Sequence, residues 1–303
     1  MFIRGPDMKL MTLLQKVKEI SFADKVQAAK DAVLTPAVMD VLYMLRLNRP
    51  ATALLMVWPM LWGFYSPAHT HWGLMPLVVL MAVTMRSASC LYIDLYNPAI
   101  EGESDCKNAR APVLAFLVLM LALSFLLAWI NGPIVMFLAI CWFIMVAAYP
   151  YLHQLTWYPQ AFAGVIFGGW SCLMGQGASG GLSVELVFLF LAGSFWVAAV
   201  ETLKADIKRS QDAEKGVKSV ALVMGTWRIP FMSSCLIATL VLLVLTGIVI
   251  SAGGLFYAAL MAAQMLLGTA YYGIHLNEHA AARATYGRTA LAGALVVLAF
   301  MLS

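Results

Sequence analysis

The sequence predicts an all-α membrane protein that crosses the bilayer nine times. Of its 303 residues, 62% are hydrophobic and 11% are charged, and the mean hydropathy is +0.85. This composition is typical of polytopic membrane proteins. Several of the apolar stretches are short for a spanning helix, so tilt or neighbouring helices must accommodate them. The nine stretches are 50–66, 73–96, 112–130, 133–149, 159–179, 184–203, 229–250, 254–273 and 287–302.

The basic residues of the chain fall on one side of these nine predicted spans. With the N-terminus inside, every Lys and Arg except Arg86 lies in an inner segment or at an adjoining helix end. Arg86 itself lies within the second span. The positive-inside rule therefore places the N-terminus in the matrix or cytoplasm and Ser303 on the opposite side. The net charge of +4 reflects this topology, and nucleic acid is not an expected partner.

Residues 1–45 differ from the rest of the chain. From Lys9 to Leu45 apolar positions recur at helical spacing among Lys and Asp residues, which predicts an amphipathic segment. Five acidic residues argue against an ordinary cleaved transit peptide, which is poor in acids. We expect this segment to lie on the inner face, at the membrane interface or against a partner protein, and the nine-helix domain to occupy 46–303.

Acidic residues cluster at the inner ends of two predicted helices. Asp94 lies at the inner end of the second span and Glu101 in the loop after it, whereas Glu201 lies at the inner end of the sixth span and Asp212 beyond it. Carboxylate oxygens suit Mg²⁺, and a bound Mg²⁺ assists the departure of a diphosphate group. These residues alone favour the plainer interpretation, in which mixed charges at helix ends are simply solvated.

Four short stretches carry a family resemblance. Residues 46–50 read R-L-N-R-P, 58–62 read W-P-M-L-W, 149–160 begin with Y-P and end with P-Q, and 216–219 read G-V-K-S. In this order they resemble motifs of the UbiA-type intramembrane prenyltransferase superfamily, above all of the 4-hydroxybenzoate polyprenyltransferases. The resemblance covers nearly all of the chain beyond residue 42. It implies the UbiA-type fold, with nine helices around a central cavity that opens to the cytoplasmic or matrix side.

The same comparison shows which site positions differ from the family. The first aspartate-rich motif, N-D-x-x-D-x-x-x-D, reads Ile93, Asp94, Asn97 and Glu101 at its four polar positions. The second, D-x-x-Y-A-x-x-D-x-x-x-D, reads Glu201, Lys204, Ala205, Lys208 and Asp212. The substituted family positions are Asn48, Ile93, Asn97, His153, Gln154, Lys204 and Lys208. Packing positions are thus retained, whereas positions for metal and diphosphate have changed.

The resemblance also implies roles for the residues that remain. In an active protein, the metal ligands would be Asp94, Glu101, Glu201 and Asp212, with Mg²⁺ as the cofactor. The diphosphate contacts would be Arg110, Lys204 and Lys208. A lysine at position 208, where the family has a carboxylate, repels a divalent ion. No catalytic residue is assigned.

We therefore predict a pseudoenzyme without a metal cofactor, which serves as a structural or lipid- or quinone-binding subunit of a larger, respiratory-type membrane assembly. Its partners would be the bilayer, a bound quinone or phospholipid, and other subunits. The alternative is an active Mg²⁺-dependent polyprenyltransferase of ubiquinone biosynthesis, which moves a prenyl group from a polyprenyl diphosphate to an aromatic acceptor. A diverged terpene cyclase or transporter-like protein is a third interpretation. The predicted compartment is the mitochondrial inner membrane, with the bacterial inner membrane as the alternative.

Overall fold

The computed structural model describes residue 45 and residues 50–66, 72–96, 110–276 and 278–303. Side chains are not described at 50–53, 110, 153, 211 and 272–284. All described residues belong to the unit Leu45–Ser303, the second of two into which the chain divides. The predictions for Asn48, Asn97, Glu101 and, apart from Leu45, the N-terminal segment lie outside this part of the chain.

The described residues form helices joined by short connections. The α-helices are α1 (Pro50–Tyr65), α2 (Met75–Tyr96), α3 (Arg110–Ile130), α4 (Pro133–Leu155), α5 (Pro159–Ala163), α6 (Trp170–Ala178), α7 (Leu186–Ile207), α8 (Arg209–Lys215), α9 (Val220–Met224), α10 (Arg228–Val249), α11 (Gly254–Leu276) and α12 (Glu278–Met301). A π segment, Gly164–Gly169, joins α5 to α6. Short 3₁₀ turns precede α2 and α10.

Six of the described helical segments are long and apolar enough to cross a membrane. They are Trp72–Tyr96, Ala111–Ile130, Pro133–Leu152, Leu186–Ile207, Val220–Val249 and Gly254–Tyr271. The first and ninth predicted spans correspond to the shorter apolar segments Leu54–Tyr65 and Thr285–Met301, and the fifth is divided by the π segment. The predicted all-α membrane protein is therefore confirmed, whereas the count of nine spans stays a prediction.

Local sequence sets the ends of the helices that carry the site. Helix α4 has Pro133 at its first position, where the missing N–H removes no hydrogen bond. Helix α8 ends at Gly216, whose φ of 66° is a left-handed conformation that glycine adopts without a Cβ penalty. The chain then turns into α9, where the Val220 N–H donates to the side-chain oxygen of buried Gln160 at 3.0 Å.

Helix α7 lies in the core and packs against α10, α1 and the π segment. Its Trp196 meets Trp62 of α1 edge to face, with ring centroids 5.2 Å apart. The π segment approaches α7 so closely that a Cβ on Gly168 would overlap the carbonyl oxygen of Gly193. These contacts fix the position of the π segment against α7.

Candidate functional site

A buried ionic cluster joins α2 to α7 near their predicted inner ends. A guanidinium nitrogen of Arg86 lies 3.8 Å from one carboxylate oxygen of Glu201. Lys204 Nζ lies 3.4 Å from the other oxygen of that carboxylate. The three side chains are 6%, 11% and 19% exposed for Arg86, Glu201 and Lys204, respectively. Two protein cations thus already compensate the charge of Glu201.

The aromatic ring of Phe167, which belongs to the π segment, lies against the guanidinium group of Arg86. The Arg86 Cζ lies 4.9 Å from the ring centroid of Phe167, a distance at which an aromatic face attracts a cation. The same ring packs edge to face against Tyr149 of α4, with centroids 5.9 Å apart. Turns of the π type are frequent at functional sites, and this one supplies an aromatic surface for the buried cation. We refer to Arg86, Phe167, Glu201 and Lys204 as the Arg86 cluster.

Asp94 is the acid of the first motif that the structure describes. It lies on α2, eight residues beyond Arg86 and therefore about 12 Å farther along the helix axis. The residue is buried, with 4% of its surface exposed. Its neighbour Ile93 packs in the hydrophobic core. Position 93, which is polar in the family motif, is therefore an apolar packing position in this protein.

Asp212 lies on α8, outside the membrane-spanning segments, and is also buried. Burial raises the pKa of Asp212 to about 6, against the lowering effect of Lys208, Lys215 and Lys204. Desolvation disfavours the charged carboxylate, whereas nearby cations favour it. The second acidic motif is therefore a mixed-charge region in which each described acid lies close to cations.

Two neighbouring cations would repel a divalent ion bound to the Glu201 carboxylate. An ion bound there would lie close to Arg86 and Lys204, and like unit charges about 4 Å apart repel by roughly 4 kcal/mol at an effective dielectric of about 20. For a doubly charged ion the repulsion from each neighbour is about twice as large. Among the described residues, no three His, Cys, Asp or Glu side chains form a metal-binding group. The predicted four-acid Mg²⁺ site includes Glu101, which is not described, and stays a prediction.

The predicted diphosphate contacts have different surroundings. Lys204 lies against Glu201. Lys208 follows the last residue of α7 and acts on Asp212. Arg110 begins α3, and its backbone alone is described. The structure therefore brings Lys204 and Lys208 to the end of one helix, and all three roles stay predictions.

Two of the motif stretches are joined to each other. Lys218 Nζ donates a hydrogen bond of 2.6 Å to the backbone carbonyl of Gln154 and lies 5.5 Å from the centroid of the Trp157 ring. With the hydrogen bond from the Val220 N–H to Gln160, this contact fastens the α4–α5 connection to the start of α9. The Pro159-Gln160 and G-V-K-S stretches therefore have structural partners that do not depend on any ligand.

A small cavity of about 360 Å³ lies beside α8. None of the residues that line it belongs to the Arg86 cluster. Its walls are mostly apolar, and Asp212 is the one ionisable residue among them. The lining residues are Trp157, Asp212, Ala213, Gly216, Val217, Leu222 and Val223. The predicted central cavity and its opening stay a prediction.

Arg86 is absent from the predicted site residues, although its position carries a signal. It is the basic residue that lies inside an apolar span, where an arginine is costly unless it is paired. The identity of its partner has no signal in the sequence, because Glu201 is 115 residues away on another helix. Phe167 is missed for the same reason.

Residues 56–293 match the family model described as "UbiA prenyltransferase family". The chain belongs to this family. A protein named 4-hydroxybenzoate octaprenyltransferase from Aliivibrio fischeri (strain MJ11) is 28% identical over 231 residues, which cover 72% of this chain and 80% of that protein. A protein of the same name from Vibrio vulnificus (strain CMCP6) is 30% identical over 249 residues, which cover 78% and 86%.

Solved structures of the UbiA family have the same fold. The apo structure of a UbiA homolog from Aeropyrum pernix K1 superposes with a TM-score of 0.68 at 14% identity, over 82% of this chain and 96% of that one. A UbiA homolog from Archaeoglobus fulgidus bound to GPP and Mg²⁺ superposes with a TM-score of 0.59 at 17% identity, over 86% and 98%. The family resemblance predicted from the motifs is confirmed.

Proposed function

We propose that this UbiA-family membrane protein is catalytically degenerate and serves as a lipid- or quinone-binding subunit of a larger membrane assembly. The observation that supports the proposal is the charge compensation of Glu201 by Arg86 and Lys204. A carboxylate that is already held by two protein cations has little capacity left to bind a divalent ion. This charge compensation supports the loss of metal chemistry that the motifs predict.

The rest of the UbiA frame supports binding without catalysis. The apolar helices persist, and Ile93 has become a core residue. The retained Gln160 and Lys218 hold connections together. Such a protein keeps a membrane-embedded bundle that suits an apolar chain, while its acids serve to neutralise internal cations.

The compartment and orientation belong to the same proposal. The distribution of Lys and Arg supports an N-terminus on the matrix or cytoplasmic side. The relatives reported above are bacterial proteins, which supports the bacterial inner membrane over the mitochondrial one.

The alternative proposal is an active polyprenyltransferase, and the names of the relatives favour it. In that case the allylic carbon–oxygen bond breaks, the diphosphate leaves, and a ring carbon of the aromatic acceptor bonds to the allylic carbon and loses its proton. Lys204 and Lys208 would hold the departing diphosphate through charge-assisted hydrogen bonds. The apolar helices would keep water from the allylic cation.

A product assay separates the two proposals. The purified chain, its Asp94→Ala variant and the Aliivibrio fischeri relative are incubated with geranyl diphosphate, 4-hydroxybenzoate and Mg²⁺. We expect product from the relative, and none above background from either form of this chain. Product from the wild-type chain that is lost in Asp94→Ala would replace the degenerate proposal with the active one. Co-migration with a larger complex in native gels tests the subunit part of the proposal.

A further inference from the structure

The cavity beside α8 is enclosed by parts of the chain that are hydrogen-bonded in place. Its lining comes from α8, from the start of α9 and from Trp157 in the α4–α5 connection. The Val217 N–H donates to the Asp212 carbonyl oxygen at 2.9 Å, which closes the turn after α8. Lys218 Nζ donates to the Gln154 carbonyl oxygen at 2.6 Å and lies 5.5 Å from the centroid of the Trp157 ring. Walls held in this way suit a ligand, because little ordering cost remains for binding.

The cavity has the size and the lining of a small-molecule site. Its volume of about 360 Å³ lies at the lower end of the roughly 300–1,000 Å³ that is typical of ligand pockets. Trp157 supplies an aromatic wall, and Val217, Leu222 and Val223 supply aliphatic walls. The cavity therefore suits a single ring with short apolar substituents.

Asp212 is the one polar side chain in this lining, and it lacks a hydrogen-bond partner. The residue is 7% exposed. Among the residues that the structure describes, none makes a hydrogen bond or an ion pair with its carboxyl group. A buried polar group in this state costs free energy. A hydrogen-bond donor on a ligand in the cavity would remove that cost.

The charges around Asp212 decide which kind of donor fits. Lys208, Lys215 and Lys204 act on its carboxyl group from beyond ion-pair distance. Their three ammonium groups would repel a cationic ligand, organic or metallic. None of the three lysines lines the cavity, so an anionic ligand would meet the carboxylate first. The donor that fits is therefore a neutral hydroxyl group.

An ionised carboxylate also discriminates between the two redox forms of a quinone. It only accepts hydrogen bonds. A hydroquinone has hydroxyl groups that donate, whereas the corresponding quinone has carbonyl oxygens that only accept. The quinone would thus leave Asp212 without a partner and bring two acceptors together.

We propose that the cavity beside α8 binds a neutral, hydroxyl-bearing ring of the hydroquinone type, which donates a hydrogen bond to Asp212, and that it rejects the corresponding quinone. The ring packs against Trp157, and the aliphatic walls surround its substituents. An aliphatic alcohol shares the hydroxyl donor, but the flat wall of Trp157 favours an aromatic ring. The inference deepens the proposed function and rests on it, because it gives the lipid- or quinone-binding role a place and a preferred redox form.

The test is a calorimetric titration of the full-length chain in detergent, corrected for the heats of empty micelles. It is done under argon at pH 8, where Asp212, with a pKa of about 6, is ionised. The probes are trimethylhydroquinone, its quinone, its dimethyl ether, which lacks both hydroxyl groups, and trimethylcyclohexanol. We expect trimethylhydroquinone to bind about ten-fold more tightly than each of the others, as loss of one hydrogen bond to a charged group implies.

Each other result contradicts a part of the inference. Equal affinity for the quinone or for the dimethyl ether overturns the hydrogen bond to Asp212. Equal affinity for trimethylcyclohexanol overturns the aromatic ligand. No binding of any probe, as expected of a cavity that holds only water, overturns the whole inference.

Variants of Asp212 assign the preference to its carboxylate. Asp212→Leu removes the acceptor, so the preference for hydroquinone over quinone should fall to less than about two-fold. Asp212→Asn introduces an amide that can donate, so the quinone should bind about ten-fold more tightly than it does to the wild type. A variant that merely distorts the cavity would weaken both probes. Glu214→Gln, an exposed acid on the same helix, is the matched control and should keep the wild-type preference.

The two Asp212 variants also cover each other. Thermal unfolding checks that both are folded, and Asp212→Asn remains decisive if Asp212→Leu is unstable. An unchanged preference in Asp212→Asn overturns the inference.

A substitution in the cavity wall tests the location of the ligand. Val223→Trp, at a half-exposed position of the lining, fills the cavity and should abolish hydroquinone binding. Val184→Trp makes the same change at an exposed valine that does not line the cavity, and should bind like the wild type. Binding that survives in Val223→Trp would place the ligand elsewhere and overturn the inference.

The inference and the proposed function fail in different ways. Mg²⁺-dependent product in the prenyl-transfer assay overturns the proposed function. Equal binding of hydroquinone and quinone without product overturns the inference and leaves the proposed function standing. Selective binding of hydroquinone without product supports both.

Discussion

The two ends of helix α7 bury polar groups in opposite ways. Near its first residue, the amide nitrogen of Gln176 donates to the hydroxyl oxygens of Ser66 at 2.9 Å and Ser183 at 2.8 Å, and to a carboxylate oxygen of Glu185 at 3.0 Å. We refer to these four residues as the outer clasp. Near its last residues, Glu201 is held by the full positive charges of Arg86 and Lys204.

The difference lies in the kind of partner that each buried carboxylate has. Glu185 accepts hydrogen bonds from the neutral groups of Gln176 and Ser183. These bonds act over short distances and tie the end of α1 to the connection between α6 and α7. The Arg86 cluster instead contains more positive than negative charge, and charges act over longer distances. The outer clasp therefore joins helices through hydrogen bonds between mostly neutral groups, whereas the Arg86 cluster joins α2 to α7 through opposite charges.

The largest effect is expected when the Arg86 cluster is broken on one side. Arg86→Met leaves Glu201 buried with Lys204 as its remaining ion-pair partner, and loss of one member of a buried ion pair typically costs about 3–5 kcal/mol. Thermal unfolding in detergent measures this loss. The double variant Arg86→Met with Glu201→Gln removes both charges and should recover at least half of it. A double variant that is as unstable as the sum of the single variants would show that the two residues are not coupled.

An intermediate effect is expected from the outer clasp. Gln176→Leu removes donors from Glu185 and leaves polar groups buried, which costs about 2–3 kcal/mol. The expected result is a lower unfolding temperature, because the Glu185 carboxylate and the two serine hydroxyls lose a shared donor. Gln154→Leu, at an exposed side chain, is the matched control and should unfold like the wild type. An unfolding temperature of Gln176→Leu equal to that of Gln154→Leu would contradict a stabilising role for the outer clasp.

The smallest effect is a pH dependence at Asp212. Its folded-state pKa, raised to about 6 by burial, lies above the ordinary value of 3.8. Its contribution to stability is therefore present in full below about pH 4. It is lost as the pH rises through about 6.

Unfolding temperatures between pH 4 and pH 8 measure this contribution as the difference between the wild type and Asp212→Asn. We expect the wild type to lose stability relative to the variant across this range. Lys208, Lys215 and Lys204 oppose the shift, so the effect is modest. Glu214→Gln, an exposed site on the same helix, is the control. An identical pH profile in Asp212→Asn would contradict the assignment.

Much of the fold and part of the site follow from the sequence. The apolar stretches coincide with the described helices, and the motifs predict the family. The motif positions also lead to Asp94, Glu201, Lys204, Lys208 and Asp212. They do not lead to the pairing of Glu201 with Arg86, to the ring of Phe167, or to the outer clasp around Gln176. Each of these depends on contacts between residues that lie on different helices or connections.

The sequence by itself determined that this protein is a helical membrane protein of the UbiA family. Its apolar segments must satisfy their backbone hydrogen bonds internally in a bilayer, and a helix does this within one segment. The tertiary structure alone decided which charges meet. The packing of the helices brings side chains from distant parts of the chain together. This packing depends on close approaches between helices, such as that of Gly168 to α7. A buried charge then takes whichever partner the packing provides, because leaving it alone in the membrane is too costly.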